Sequence, residues 1–437
     1  MRLLKLLRRY LIFLALFAGY LAAAQPRKYN FSRVDMKNGL SNNQVNSIYR
    51  DSIGFVWFGT TNGLNRFDGF TCKVFGNIPN DNSSLEDNFV LEIFPLPNHS
   101  LFIGSRNAAA VFNAATETFD RNYTAYLRSL SLPVSRPVNI VKDKIGNYWF
   151  HFEKEGLFKY NMQTQKTLQY DVGHGQSSAL HIAHVNQDAG GAIWVIYSNG
   201  LIEQVEGASL KPVQRINLFA AQKKGISDYR FIIDRQKKIW VWVNGEPEGV
   251  YKIDPPANVV THFHARNSQF RLKNDLVRGV IQDVKGAVWI GTDHGGVNLV
   301  NELDNSNITY LESNENDHGS LGYNSVESIY QDDRGIVWVG TGKEGVSYLN
   351  QNITQFELYR HEVGNSNSLP YNDVTYFLED KKGNFWIGTD GGGLLYFDRV
   401  RNRFSQYLHD PANPNSLSNN VVVSLCLDHE NKLWIGT

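Results

Sequence analysis

Residues 51–60 read DSIGFVWFGT, and close variants of this segment return further along the chain. The variants at residues 283–292, 332–341 and 380–389 read DVKGAVWIGT, DDRGIVWVGT and DKKGNFWIGT. All four share the pattern Asp-x-x-Gly-x-x-Trp, followed by an apolar residue and Gly-Thr. An Asp with a Gly three residues later is typical of a type I turn, and the apolar run that follows suits a strand buried on both faces. The segment therefore predicts a hairpin that recurs along the chain.

The aromatic residue at the centre of this segment returns at regular intervals. Its nine copies are Trp57, Phe102, Trp149, Trp194, Trp240, Trp289, Trp338, Trp386 and Trp434. The successive steps are 45, 47, 45, 46, 49, 49, 48 and 48 residues. This period matches the length of one four-stranded blade of a β-propeller. We predict that the Trp residues have a structural role and pack between neighbouring blades, where a large side chain dominates the core.

Nine copies exceed the 4–8 blades that propellers typically have, which predicts two rings. Residues 29–33 and 355–360 resemble each other, and each precedes an Asn-rich segment. We interpret them as the opening strands of separate rings, with seven copies of the motif between them. The sequence thus predicts an all-β chain, with a seven-bladed β-propeller over residues 25–352 and the truncated start of a second β-propeller over residues 353–437.

The first 24 residues have the character of a targeting segment. Basic residues occupy positions 2, 5, 8 and 9, an apolar run follows over residues 10–21, and Ala22-Ala23-Ala24 comes next. This order predicts a secretory signal peptide over residues 1–24. An uncleaved N-terminal anchor is the alternative. Both interpretations place the rest of the chain outside the cytoplasm, in the periplasm.

Composition excludes several classes of protein. Lys and Arg together number 43, as do Asp and Glu, so the formal net charge is zero. A protein that binds nucleic acid through phosphate contacts usually carries a basic excess, so we expect no direct contact with nucleic acid. Two cysteines cannot form a disulfide scaffold or a cysteine-based metal site. Cys72 and Cys426 fall in different predicted rings, so we expect two unpaired thiols.

Blades three to five depart from the repeat at the Gly-Thr position. They replace Gly by larger residues, and they replace Thr by Phe152, Tyr197 and Val243. The replacements at the Gly position are His151, Ile196 and Trp242. One interpretation is an aromatic platform for a sugar, formed by His151, Tyr197 and Trp242. The other, which the repeat pattern favours, is repacking inside irregular blades.

Loops after the Trp strands supply further candidates for ligand binding. They are Arg106, Asp293, His294 and Lys343, which could together bind a polar ligand. His262 and His264 alternate on a predicted strand, but the sequence offers no third metal ligand beside them. We therefore predict neither a metal nor another cofactor. The sequence contains no nucleophile elbow, phosphate loop or zinc-protease motif, so we predict no catalytic residues in this segment.

The repeats at residues 369–397 and 417–437 resemble two-component regulator propeller repeats. These repeats form the periplasmic sensor region of hybrid two-component histidine kinases of Bacteroidetes. In that family, two seven-bladed propellers precede a small β-sandwich, a membrane helix, a kinase core, a receiver and a DNA-binding domain. The present sequence ends within its ninth repeat, so we expect the membrane helix and kinase to lie beyond it, and no phosphotransfer is assigned to these residues.

The resemblance implies a function. It suggests a sensor that binds an oligosaccharide and signals across the inner membrane to regulate polysaccharide-utilisation genes, as a membrane-tethered homodimer. Two alternatives remain, a secreted propeller enzyme such as a polysaccharide lyase or glycosidase, and a protein-binding propeller.

Overall fold

The computed structural model describes residues 29–170, 181–222, 225, 227–301, 308–351, 359–361, 364–365 and 367–437. It divides the chain into two compact units, Met1–Ile353 and Thr354–Thr437. The predicted signal peptide lies outside the described residues. None of the helices within these ranges has both the length and the apolar character needed to cross a membrane.

In its described residues, the first unit begins with strand β1 (Ser32–Val34) and contains seven four-stranded antiparallel sheets, which we call blades 1–7. Blades 1 and 2 consist of β2 (Val45–Arg50), β3 (Val56–Thr60), β4 (Gly63–Phe67), β5 (Cys72–Phe75), β6 (Val90–Pro95), β7 (Leu101–Ser105), β8 (Ala109–Asn113) and β9 (Thr118–Asp120). Blades 3 and 4 consist of β10 (Asn139–Lys142), β11 (Tyr148–Phe152), β12 (Gly156–Asn161), β13 (Lys166–Gln169), β14 (Ile182–Gln187), β15 (Ile193–Tyr197), β16 (Ile202–Val205) and β17 (Pro212–Ile216).

Blades 5 and 6 consist of β18 (Tyr229–Ile233), β19 (Ile239–Val243), β20 (Val250–Asp254), β21 (Val259–Phe263), β22 (Val277–Gln282), β23 (Val288–Thr292), β24 (Val297–Val300) and β25 (Ile308–Leu311). Blade 7 combines β26 (Val326–Gln331), β27 (Ile336–Thr341) and β28 (Val346–Asn350) with β1. Two short helices, α1 (Tyr123–Ser129) and α2 (Leu218–Gln222), interrupt the all-β pattern between blades 2 and 3 and between blades 4 and 5.

The first unit is a closed ring. Each blade's inner strand contacts the inner strand of the next blade, and β26 of blade 7 contacts β2 of blade 1. Strand β1 supplies the fourth strand of blade 7 by pairing with β28, Ser32 opposite Tyr348 and Val34 opposite Val346. The ring therefore closes by joining the two ends of its chain within one sheet, so that blade 7 has all four strands. The predicted seven-bladed propeller is confirmed.

The Asp of the repeat organises the turn that leads into the Trp strand. In blade 6, Asp283 Oδ1 accepts hydrogen bonds from the backbone N–H groups of Lys285 and Ala287, at 2.9 Å each. Its Oδ2 accepts the Nε1–H of Trp289 at 2.8 Å. The same Asp–Trp bond forms with Trp57, Trp149, Trp194, Trp240, Trp338 and Trp434, at 2.7–3.1 Å. One carboxylate thus accepts hydrogen bonds both from the backbone N–H groups of the turn and from the indole N–H of the Trp.

Each central aromatic residue of the ring packs in an apolar cluster shared with the following blade. Trp57 shares a cluster with Val90 and Ile93 of blade 2. Trp338 shares one with Val45 and Phe58 of blade 1, across the closure. Burial of large aromatic side chains between blades supplies the main apolar stabilisation of the ring.

The second unit carries the same motif in fewer strands. Its described residues form one four-stranded sheet and one hairpin, namely β29 (Val374–Glu379), β30 (Phe385–Thr389), β31 (Leu394–Asp398), β32 (Arg403–Tyr407), β33 (Ser424–Leu427) and β34 (Leu433–Gly436). Trp386 is half-buried and Trp434 is 63% exposed. Cys72 and Cys426 are both free.

Candidate functional site

The loops after the Trp strands share one face of the first unit with the segments that lead into the inner strands. The backbone N–H of Arg106 donates to Phe89 O at 3.0 Å, and that of Asp293 donates to Leu276 O at 2.9 Å. Gly342 N–H donates to Ser325 O at 3.0 Å in blade 7. We call this side the Gly-Thr face, because the Gly-Thr ends of β3, β23 and β27 lie on it.

Two inner strands carry a charged residue at a β-bulge on the Gly-Thr face. In blade 6 the register of β22 with β23 shifts between Val277 and Gly279, which leaves Arg278 without a partner residue. In blade 7 the shift lies between Val326 and Ser328, which leaves Glu327 without one. A bulge re-aims a side chain. The residues at the equivalent bulges of blades 1, 2 and 4 are uncharged, namely Asn46, Leu91 and Ala183.

Arg278 and Glu327 join neighbouring loop residues in a cluster of charged and polar groups. Arg278 Nη2 lies 3.4 Å from Asp293 Oδ2, and its Nε lies 3.9 Å from Glu327 Oε2. His294 Nδ1 lies 2.6 Å from Asp293 Oδ1, which also accepts a hydrogen bond from the Ser325 hydroxyl. We call Arg278, Asp293, His294, Ser325 and Glu327 the blade 6–7 cluster. It combines one guanidinium with two carboxyl groups, which can hydrogen-bond both to hydroxyl groups and to charged groups of a ligand.

The two carboxyl groups of the blade 6–7 cluster have pKa values shifted in opposite directions. Burial raises the pKa of Glu327, and the neighbouring Arg278 opposes this only in part. Burial also acts to raise the pKa of Asp293, but the hydrogen bond from Ser325 and the charges of His294 and Arg278 outweigh it and lower the pKa. Asp293 is therefore held as a carboxylate, whereas Glu327 takes up a proton more readily than an exposed glutamate.

Further ion pairs lie on other blades of the same face. Arg136 Nη2 lies 2.9 Å from Glu92 Oε2 at blade 2, and Arg136 also donates to Ser105 O at 2.8 Å. At blade 5, Arg230 Nη2 lies 3.2 Å from Asp228 Oδ2, and its Nη1 donates to Ala183 O at 3.1 Å. Ion pairs thus lie beside the inner strands of blades 2 and 5 on this side as well.

The structure buries all three residues of the predicted aromatic platform. His151 and Tyr197 are each 1% exposed, and Trp242 is 7% exposed. Tyr197 packs in the cluster between blades 3 and 4, and Trp242 packs in the one between blades 5 and 6. The Tyr197 hydroxyl donates to Glu203 at 2.6 Å. The three residues do not come together on a surface, and this burial accords with the alternative of repacking inside the irregular blades.

His151 is buried without hydrogen bonds to its ring. Neither Nδ1 nor Nε2 has a partner, and burial, assisted by the charge of Arg230, lowers the pKa of His151 to about 4. His184 on β14 also has a buried Nδ1 without a hydrogen-bond partner. Burial and the charge of Arg230 lower the pKa of His184 as well. Both imidazoles are therefore neutral at pH 7.

The four predicted loop residues occupy the Gly-Thr face, but only two of them touch. Asp293 and His294 belong to the blade 6–7 cluster. The Arg106 guanidinium lies 3.8 Å from the centre of the Phe89 ring, and Lys343 Nζ lies 5.3 Å from that of Tyr323. These are cation–π contacts. Arg106 and Lys343 are both exposed.

Sequence reasoning missed Arg278, Ser325 and Glu327. The available signal was a charged residue directly after the first valine of an inner strand, in VRGVIQ and VESIYQ. Among the described residues, no group of three or more His, Cys, Asp or Glu side chains could hold a metal ion. The rings of His262 and His264 lie 4.5 Å apart, and a ring nitrogen of His262 lies 2.7 Å from Glu248 O.

Comparison with known proteins identifies the repeats. The model of the two component regulator propeller family matches residues 39–62, 320–343, 368–391 and 416–437. A histidine kinase from Formosa agariphila, Histidine kinase P4, is 42% identical over 62 residues, which cover 14% of this chain and 4% of that protein.

Solved structures share the fold. The extracellular domain of the putative hybrid two component system BT3049 from B. thetaiotaomicron matches with a TM-score of 0.62 and 22% identity, covering 94% of this chain and 52% of that one. The extracellular domain of the putative one component system BT4673 from the same organism matches with a TM-score of 0.52 and 19% identity, with the same coverage. The chain thus spans about half the length of these domains. Repeat motif, family match and fold agree with the resemblance predicted from the sequence: four segments of the chain are two-component regulator propeller repeats, and the chain shares its fold with extracellular domains of two-component systems.

Proposed function

We propose that this chain is the ligand-binding part of an extracytoplasmic sensor, and that the first propeller binds an oligosaccharide on its Gly-Thr face. The related extracellular domains of two-component systems support a sensor role. The predicted export signal supports a periplasmic location. The kinase, membrane helix and dimer of a complete receptor, and its control of polysaccharide-utilisation genes, belong to this proposal as consequences of the family resemblance.

The blade 6–7 cluster is the observation that carries the proposal. Arg278 and Glu327 lie on bulges, and the repeat pattern requires neither of them for its hairpins or its inter-blade packing. Their side chains are one-third and one-fifth exposed, so a ligand can reach them. Partly buried charges outside the packing pattern are expensive for stability and are typical of binding sites.

Sugars suit this arrangement chemically. Each sugar hydroxyl donates and accepts hydrogen bonds, and the cluster offers guanidinium donors next to carboxylate acceptors. The cation–π pairs at Phe89 and Tyr323 place aromatic rings on the same face. A ligand that contacts Arg278 and Glu327 also joins two blades, and it can signal only if it binds one arrangement of the receptor more tightly than another.

Calorimetry of the purified protein with a panel of oligosaccharides tests the proposal. We expect binding that Arg278→Gln weakens at least tenfold, because a charge-assisted hydrogen bond is lost. Arg235→Gln is the matched control, since Arg235 is exposed on the turn at the other end of blade 5. Equal affinity in both variants would contradict the location of the site. Failure of the wild-type protein to bind any oligosaccharide would contradict the function.

One observation favours a second function. The opposite pKa shifts of Asp293 and Glu327 are the pattern that separates a base from an acid in glycosidases. Incubation with polysaccharides distinguishes the two functions. Release of products by the wild-type protein but not by Glu327→Gln would favour the enzyme over the sensor.

A further inference from the structure

A cavity of about 320 Å³ opens on the side of the first propeller opposite the Gly-Thr face. It lies where the inner strands β2, β6 and β10 end, at the turns that lead into the second strands of blades 1–3. Its lining includes Tyr49, Ser52, His99, Lys142 and Tyr148. This site is separate from the blade 6–7 cluster, which lies at the opposite ends of the inner strands in blades 6 and 7.

Blade 2 departs from the repeat at this cavity. The other turns of the ring follow the Asp-x-x-Gly pattern or keep its Asp, whereas blade 2 reads LPNHSLF at residues 96–102. The turn contains a 3-10 segment, Pro97–His99, and no side chain caps it. The repeated Asp is absent at the blade whose central aromatic is Phe102, which has no indole N–H to donate to a carboxylate. The turn is thereby free to carry other side chains towards the cavity, His99 among them.

The turn of blade 2 is also strained. Asn98 and His99 both have φ of 59°, in the left-handed region that favours glycine. Positive φ at two successive residues is the conformation of a type I′ hairpin turn, in which Gly usually takes the second position that His99 occupies here. The turn brings His99 Nδ1 to within 2.9 Å of Ser52 Oγ on blade 1. The strained backbone thus places an imidazole at the edge of the cavity.

The lining has a definite chemical character. Burial raises the pKa of Tyr49 and of Tyr148, so both phenols are neutral hydroxyl groups. The carboxylate of Asp51 is already occupied by backbone N–H groups and by Trp57. Lys142 Nζ lies 5.7 Å from the Tyr148 ring, and Lys142 is the one Lys or Arg in the described lining.

We propose that this cavity binds a sugar acid of monosaccharide size. Hydroxyl groups of Tyr49, Ser52 and Tyr148 and the ring of His99 match a polyhydroxylated ligand, and Lys142 matches one carboxylate on it. The site would give the propeller a second ligand, independent of the oligosaccharide on the Gly-Thr face.

Titration of the purified protein with glucuronate, followed by NMR or calorimetry, tests the proposal. We expect glucuronate to bind, glucose to bind at least tenfold more weakly, and Lys142→Gln to weaken glucuronate at least tenfold. Lys144→Gln is the matched control, because Lys144 lies two residues further along, in the turn after β10, and its Nζ donates to Ala189 O. Equal loss in both lysine variants, or no binding of glucuronate to the wild-type protein, would overturn the proposal.

A second variant separates binding from folding. His99→Gly removes the imidazole and suits the positive φ, so the variant should be at least as stable to heat as the wild-type protein while binding glucuronate more weakly. Unchanged affinity would overturn the role of His99 and, with it, the assignment of this cavity. Arg278→Gln should leave glucuronate binding unaltered, which distinguishes failure here from failure of the site on the Gly-Thr face.

Discussion

Two groups of blades differ in the residues at the end of the second strand. Blades 1, 6 and 7 have small residues there, whereas blades 3, 4 and 5 have large ones. At the end of the second strand, the first group has Gly-Thr, and at Gly340 an added Cβ would lie 2.7 Å from Val45 O of the next blade. The neighbouring Thr341 is fully buried and donates its hydroxyl to Gly345 O at 2.9 Å. In this group the glycine allows the backbone of the next blade to approach closely, and the threonine hydroxyl forms a hydrogen bond within the blade.

The second group places large side chains at the same position. His151 occupies it in blade 3 and Ile196 in blade 4, and both are buried. Blade 4 also buries the carboxylate of Glu203, which accepts hydrogen bonds from Tyr170 and Tyr197 at 2.9 and 2.6 Å. The comparison teaches that departure from a repeat motif is not by itself a sign of a ligand site, because a bulky replacement can be absorbed into the core. The informative departures are those that stay exposed, such as Arg278 and His99.

The largest expected effect is at Ile196, which fills the glycine position of blade 4. Ile196→Ala should reduce the free energy of unfolding by about 3–4 kcal/mol, through lost apolar burial and the cavity that remains. Urea denaturation followed by tryptophan fluorescence measures this. The control is Val259→Ala, at a half-exposed position of an outer strand. A small effect at Ile196 would show that the irregular blades are loosely packed.

The second largest effect on the free energy of unfolding is expected at Glu203, the buried carboxylate of blade 4. Glu203→Ala should reduce the free energy of unfolding by about 3 kcal/mol, since two buried tyrosine hydroxyls lose their acceptor. Arg215→Gln removes the exposed partner of Glu203 and should cost less than Glu203→Ala, because Glu203 keeps its hydrogen bonds from both tyrosines. If the two variants were equally destabilised, the ion pair with Arg215 rather than the hydrogen bonds from the tyrosines would stabilise Glu203.

In the blades that keep Gly-Thr, we expect substitution of the glycine by a larger residue to be destabilising. Gly340→Ala should reduce the free energy of unfolding by about 2 kcal/mol, because the added methyl group meets backbone of the next blade. Gly207→Ala, where the nearest atom would be Lys159 Nζ at 3.9 Å, should change the free energy of unfolding by less than about 0.5 kcal/mol. Matching values would mean that the glycine is retained for a reason other than close approach.

The smallest effect concerns acid stability. The pKa of His151 is lowered to about 4 in the folded chain, so below pH 6.5 the unfolded chain binds a proton that the folded chain does not. Stability is therefore lost as the pH falls from about 6.5 towards 4, by about 1 kcal/mol at pH 5.5 for this group. His151→Leu should flatten the pH dependence in this window, although His184 still contributes to it.

Thermal unfolding between pH 7.5 and 5 checks this prediction. The control is His318→Leu, at an exposed position, which should leave the slope with pH as it is in the wild-type chain. An unchanged slope in His151→Leu would show that the imidazole is not held neutral in the core.

Much of the fold could be predicted because the repeat encodes it locally. The Asp, Gly and Trp of each segment specify one turn and one buried strand, and the period gives the blade length. Helix α1 was not predicted, because its sequence lies between repeats and its helical form depends on local capping by Asn122. The candidate site was predicted in part. Asp293 and His294 follow a recognisable strand, whereas Arg278 and Glu327 are distant in sequence and meet only through bulges in two adjacent blades.

The sequence by itself determined the number of blades, the hairpin of each repeat and the resemblance of the repeats to two-component regulator propellers, because these depend on turns and side-chain periodicity within about 48 residues. Only the tertiary structure decided which departures from the repeat are buried and which face solvent. Burial depends on the neighbouring blade, whose residues lie one or more repeats away in the chain. For the same reason, the cluster of Arg278 with Glu327 and the cavity beside His99 form only where neighbouring blades pack together.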